Sequence, residues 1–99
     1  MVREDVLDFI YSFRQFGDAV EDCFTSGNCF WFAYILSARF DGAITYDVVA
    51  NHFGCRISGI VYDICGDVSN EYKWEDWEFL TQNYDPLVIQ RIYRDCIYK

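Results

Sequence analysis

Asn51-His52-Phe53-Gly54-Cys55-Arg56-Ile57-Ser58-Gly59-Ile60-Val61-Tyr62-Asp63-Ile64 holds two short β-rich runs on either side of a Ser-Gly dipeptide, the pattern of a β-hairpin. If Ser58-Gly59 is a two-residue loop, Ile57 lies opposite Ile60, Cys55 opposite Tyr62 and Gly54 opposite Asp63. Side chains alternate faces along a strand, so His52, Gly54 and Asp63 then share one face, with His52 and Asp63 as a diagonal pair. Diagonal neighbours lie about 7–8 Å apart at the backbone, within reach of an imidazole and a carboxylate turned toward each other. A three-residue loop would reverse this parity. A carboxylate between Tyr62 and Ile64 is costly to bury unless paired, and the nearest candidates for Asp63 are His52 and Arg56.

Outward from the hairpin, Ala43 to Ala50 carries Ile44, Tyr46, Val48 and Val49 and reads as a preceding strand. Before it, Asn28 to Phe40 is apolar nearly all round until Arg39, which predicts a central, buried helix stopped by Asp41-Gly42. Val2 to Phe16 places Val6, Phe9, Ile10, Phe13 and Phe16 on one side of an amphipathic helix that Gly17 ends. Asp18 to Phe24 adds a short helical turn before the loop and cap residues Thr25-Ser26-Gly27-Asn28. Beyond the hairpin, Cys65-Gly66-Asp67 breaks the sheet, and Ser69 to Gln82 reads as helical in its second half, with Trp74, Trp77 and Leu80 three apart. Asp85-Pro86 is an N-cap followed by proline at the first helical position, opening a last helix through about Cys96 with Val88, Ile92 and Cys96 spaced by four. The expected fold is one α+β domain over residues 1–99. A three-stranded antiparallel sheet packs on the helix that carries Cys29, and N- and C-terminal helices flank it.

Composition narrows the function classes. With 53% apolar and 20% aromatic residues, ninety-nine residues can bury a core. Met1-Val2-Arg3-Glu4-Asp5 opens with charges of both signs, unlike a secretory leader, and no run approaches the roughly 18 apolar residues of a membrane span. A cytoplasmic product with no membrane partner is expected. Five cysteines (Cys23, Cys29, Cys55, Cys65, Cys96) without a C-x-x-C argue against a disulfide framework and a closed zinc site. A site from His52, Cys55 and Cys65 is disfavoured because alternation sends Cys55 to the opposite face, so neither metal nor cofactor is expected. The formal charge of −8 disfavours direct nucleic-acid binding and suits a basic partner.

Within Gly27-Asn28-Cys29-Phe30-Trp31-Phe32-Ala33-Tyr34-Ile35-Leu36, the cysteine falls at the first turn of an apolar helix. There the backbone N–H groups and aligned peptide dipoles favour thiolate over thiol. The bland alternative is an inert core cysteine. Gly-Asn-Cys29 at a helix start, His52 on a strand and Asp63 on the next resemble the minimal core of papain-like and NlpC/P60-like thiol hydrolases. The pattern from Asn28 to Leu36, Asn51-His52-Phe53 and Tyr62-Asp63-Ile64-Cys65-Gly66 is also similar to small proteins of phages and mobile elements. The resemblance spans about Ser26 to Gly66 and implies Cys29 as nucleophile, His52 as its base and later acid, and Asp63 orienting the imidazole. The context Asp-Cys-Ser-Gly common in NlpC/P60 proteins is missing here.

A second function class starts from the surface. Acidic residues alternate with aromatics in Tyr72-Lys73-Trp74-Glu75-Asp76-Trp77-Glu78, and acidic patches with aromatic anchors suit a basic groove. In composition this looks like phage inhibitors of host nucleoprotein defences, such as anti-CRISPR proteins. Trp74, Glu75, Asp76, Trp77 and Glu78 would then bind a basic host protein or nucleoprotein complex. The competing interpretation is a solvated helix face whose tryptophans join the core.

Overall fold

The protein is described by a computed structural model over residues 2–15 and 29–96, with side chains to Asp95. Phe16, Gly17, the turn at Asp18 to Phe24, the caps Thr25 to Asn28 and the side chains of Cys23 and Cys96 lie outside the described residues. Within them the chain is α+β, with four helices and one antiparallel five-stranded sheet: α1 Val2–Arg14, α2 Cys29–Phe40, β1 Ala43–Asp47, β2 His52–Ile57, β3 Ile60–Asp63, β4 Gly66–Asp67, β5 Glu75–Asp76, α3 Trp77–Asn83 and α4 Pro86–Cys96. The strand order is β4-β3-β2-β1-β5. No helix among the described residues is long and apolar enough to cross a membrane.

The hairpin has the two-residue loop. Ser58 (φ 52°) and Gly59 (φ 84°) both take positive φ, as a turn that follows the right-handed twist of its strands requires. Ile57 therefore pairs with Ile60 and Cys55 with Tyr62. On the other side of β2, Tyr46 faces Phe53 and Asp47 faces His52.

Three expectations are corrected. The sheet has five strands rather than three, because Gly66–Asp67 and Glu75–Asp76 add short pairings at its two edges. Two-residue strands show no period in the sequence, and Glu75 and Asp76 had the look of an acidic helix face. They instead lie along β1, and the helix starts only at Trp77. The first strand also stops at Asp47 rather than Ala50, since the Asp47 carboxylate accepts the Ala50 N–H (2.8 Å) and turns the chain there. Finally, α2 is buried on one side only. Cys29, Phe32, Ala33 and Leu36 enter the core, while Trp31 and Tyr34 are exposed.

Phe53, fully buried, joins the layers. Its ring meets Phe30 of α2 (5.1 Å between centroids), Tyr46 of β1 (4.7 Å) and Trp77 of α3 (4.8 Å). Tyr93 of α4 completes the cluster against Trp77 and Phe30. The N-cap anticipated before α4 is present, with the Asp85 carboxylate accepting the Leu87 N–H at 2.8 Å, and Ile89 and Ile92 are the buried residues of that helix. In α1 the buried residues are Val6 and Ile10, with Leu7, Phe9 and Phe13 packed partly against the core.

Leu36 is fully buried in α2, whereas Val49 at the β1–β2 turn is 94% exposed. Leu36→Ala should cost about 2–5 kcal/mol of unfolding free energy in urea titrations, because it leaves a cavity that the core cannot fully close. Val49→Ala, which removes no packed contact, should stay within about 0.5 kcal/mol.

Candidate active site

Cys29 is the first residue of α2 and His52 the first residue of β2. Because both begin their elements, their side chains can meet at the end of the helix–sheet layer. The Cys29 side chain is hydrogen-bonded to His52. The imidazole also meets a carboxylate: His52 Nε2 lies 2.8 Å from Asp63 Oδ2, the diagonal contact that the hairpin register allows. With Nε2 engaged by the carboxylate, Nδ1 is the ring nitrogen left for the thiol. Asp63 is the partner of His52, not of Arg56, which instead pairs with Asp76.

The second oxygen of Asp63 accepts the Cys65 N–H at 2.7 Å, so both carboxylate oxygens are engaged and the group is fixed in direction. The side chains of His52 and Asp63 are only 11% and 7% exposed. Burial by itself would lower the His52 pKa. Hydrogen bonds to Asp63 and Cys29, with the negative charges of both, outweigh it and raise the ring from 6.5 to about 9. At neutral pH His52 is therefore an imidazolium between a carboxylate and a sulfur.

Two groups that sequence reasoning did not place beside His52 complete the surroundings. Asp47 lies opposite His52 on β1 and is buried. Burial would raise its carboxyl pKa, but the N–H groups of Ala50, Lys73 and Val49 and the charge of His52 hold it below the usual value. Counting the register across β1 and β2 could have found it, had the end of β1 been placed correctly. The other group is the loop before β5, where Tyr72 and Trp74 bring their rings to 5.2 and 6.0 Å from the imidazole. No periodicity in the sequence marks that loop.

The other sequence-predicted site residues are dispersed. Trp77 is a core residue, and Trp74 lies against His52 instead of joining Trp77 on a helix face. Glu75, Asp76 and Glu78 are exposed. Among the described residues no three His, Cys, Asp or Glu side chains come together as a metal site. Cys55 is fully buried, and burial alone pushes its thiol up to about 12, so it is a core residue without thiolate character.

Comparison with protein-family models, with curated proteins and with solved structures finds no match. The chemistry of the site rests on its geometry.

That geometry sets a pH dependence of stability. The folded His52 pKa of about 9 lies above its ordinary 6.5, so the stabilisation from its charged contacts is complete below about pH 6.5 and is lost as pH rises through about 9. Melting temperature should fall across that window. In His52→Ala the slope should flatten, with a cost at pH 6 of about 1.5–3 kcal/mol, typical of a lost hydrogen bond to a charged group.

Proposed function

We propose that this protein is a small thiol hydrolase with Cys29 as nucleophile, His52 as acid and base, and Asp63 holding the imidazole. The supporting observation is the hydrogen-bonded chain from the Cys29 side chain through His52 to Asp63. An imidazolium beside a sulfur favours the thiolate, which is the nucleophilic form. The thiolate attacks an acyl carbon and a carbon–sulfur bond forms; the carbon–nitrogen or carbon–oxygen bond to the leaving group breaks as the imidazolium gives its proton to the departing amine or alcohol. Neutral His52 then takes a proton from water, which attacks the thioester and releases the acid and the thiolate. Asp63 orients the imidazole through its hydrogen bond to Nε2 and stabilises the imidazolium. The order of residues, helix Cys, strand His, next-strand Asp, is that of the papain-like and NlpC/P60-like core, and a phage or mobile-element source fits the same resemblance.

The alternative, an acidic inhibitor of a host nucleic-acid-binding complex, has less support. Its aromatic anchors are engaged elsewhere, with Trp77 in the core and Trp74 against His52, and Asp76 is paired with Arg56. What remains is a short carboxylate edge of the kind that many soluble domains carry.

Alkylation separates the readings without a known substrate. Although Cys29 is only 5% exposed, its thiolate character should let iodoacetamide at pH 6 modify it first among the five cysteines, ahead of the exposed Cys65, with adducts mapped by mass spectrometry. The Cys29 rate should fall about ten-fold or more in His52→Ala, because the thiolate loses its counter-ion. Faster labelling of Cys65, or a Cys29 rate indifferent to His52, would overturn the proposal. In a biological assay such as phage survival, Cys29→Ala should abolish activity while Glu75→Lys with Asp76→Lys changes it little.

A further inference from the structure

The loop from Val68 to Glu75 crosses the face of the sheet that carries His52, and it is tied down on both sides. At one end the Val68 N–H donates to Val61 O (2.9 Å) and the Val61 N–H to Ser69 Oγ (2.9 Å). Toward the other end the Lys73 N–H donates to Asp47 Oδ2 at 2.8 Å. Lys73 is the residue between Tyr72 and Trp74, so the buried Asp47 carboxylate fixes the backbone from which both rings project.

Both rings meet the imidazole. Tyr72 lies 5.2 Å from His52 with the planes inclined by 37°, Trp74 lies 6.0 Å away inclined by 44°, and the two are 5.0 Å from each other. Trp74 is anchored again by its indole N–H, which donates to Val68 O at 3.0 Å. Its six-membered ring reaches over Gly54. A Cβ there would come within 3.1 Å of Trp74 Cη2 and 2.8 Å of Val61 Cγ1, so glycine at the position beside His52 on the same face is what lets the indole settle.

We propose that Tyr72 and Trp74 are positioning residues for His52, an aromatic wall that holds the imidazole in line between Cys29 and Asp63 and favours its cationic form through their π faces. Cations within about 6 Å of an aromatic centroid are attracted by the ring quadrupole, and the attraction grows when water is excluded. The groups that face the ring are known from each element packed on it: Asp63 on β3, Cys29 on α2, Asp47 on β1, and the Tyr72 phenol on the loop. Burial, and the charges of Asp63, Glu71, Cys65 and Asp47, raise the Tyr72 pKa, so it stays a neutral phenol while His52 titrates. The wall thus adds no charge of its own. It deepens the thiol–imidazole reading of the site, and its test requires no substrate.

His52 is the only histidine, so the imidazole Cε1–H gives one resonance whose shift against pH reports this ring alone. Tyr72→Leu and Trp74→Leu should each lower the midpoint by about half to one pH unit, the equivalent of one cation–π contact. Tyr72→Phe and Trp74→Phe keep a π face and should stay within about 0.3 unit of the unsubstituted protein. Leucine variants that titrate like the parent would overturn the proposal, as would phenylalanine variants that shift as far as leucine. If Trp74→Leu does not fold, the Tyr72 pair decides the matter. A midpoint that falls as expected, in a protein whose Cys29 is not selectively alkylated, would support the wall and reject the hydrolase.

Discussion

The two-residue turn at Ser58-Gly59 is the constraint on which both the core and the site depend. Strand side chains alternate with period two, so a slip of one residue would exchange the faces of β2. With Ile57 against Ile60, Phe53 enters the core among Phe30, Tyr46 and Trp77, and His52 falls on the face of Asp63. The aromatic cluster and the ion pair are therefore one decision. The cost of the wrong register is paid twice, by exposing Phe53 and by leaving a buried carboxylate without its partner.

Much of this was legible because it is carried by strong local signals. A Ser-Gly dipeptide between β-rich runs sets the hairpin, Asp85-Pro86 opens α4 through a side-chain cap, and Asp63 between apolar neighbours calls for a partner. The edge strands were not legible, because two residues cannot display a period and what places them is the neighbour they pair with. Trp74 illustrates the same limit. Its spacing from Trp77 and Leu80 fits a helix, but the helix begins three residues later, and a hydrogen bond to Val68 with space over Gly54 draws the indole to the opposite side of the sheet from the core. Asp47 escaped notice for a related reason: whether it ends a strand or lies within one depends on whether its carboxylate captures the Ala50 N–H.

The site combines features that oppose each other in isolation. Burial of a histidine favours the neutral ring, yet here the hydrogen bonds to Asp63 and Cys29, together with their charges, prevail and the cation persists above neutral pH. A buried ion pair of this kind contributes little net stability compared with an apolar replacement, because desolvation consumes most of the attraction. Its value lies in fixing the direction of the imidazole. Both oxygens of Asp63 are committed, one to His52 and one to the Cys65 backbone, so the ring cannot turn without breaking its contact with a carboxylate that is itself fixed in direction.

The two shortest strands have a bearing on how molecules of this protein meet each other. β4 and β5 close the two sides of the sheet, and each presents only two residues, Gly66–Asp67 and Glu75–Asp76. An approaching strand from another copy would find too little free backbone to build a ladder and a carboxylate at either margin. In a crowded solution the sheet therefore ends where the chain ends it.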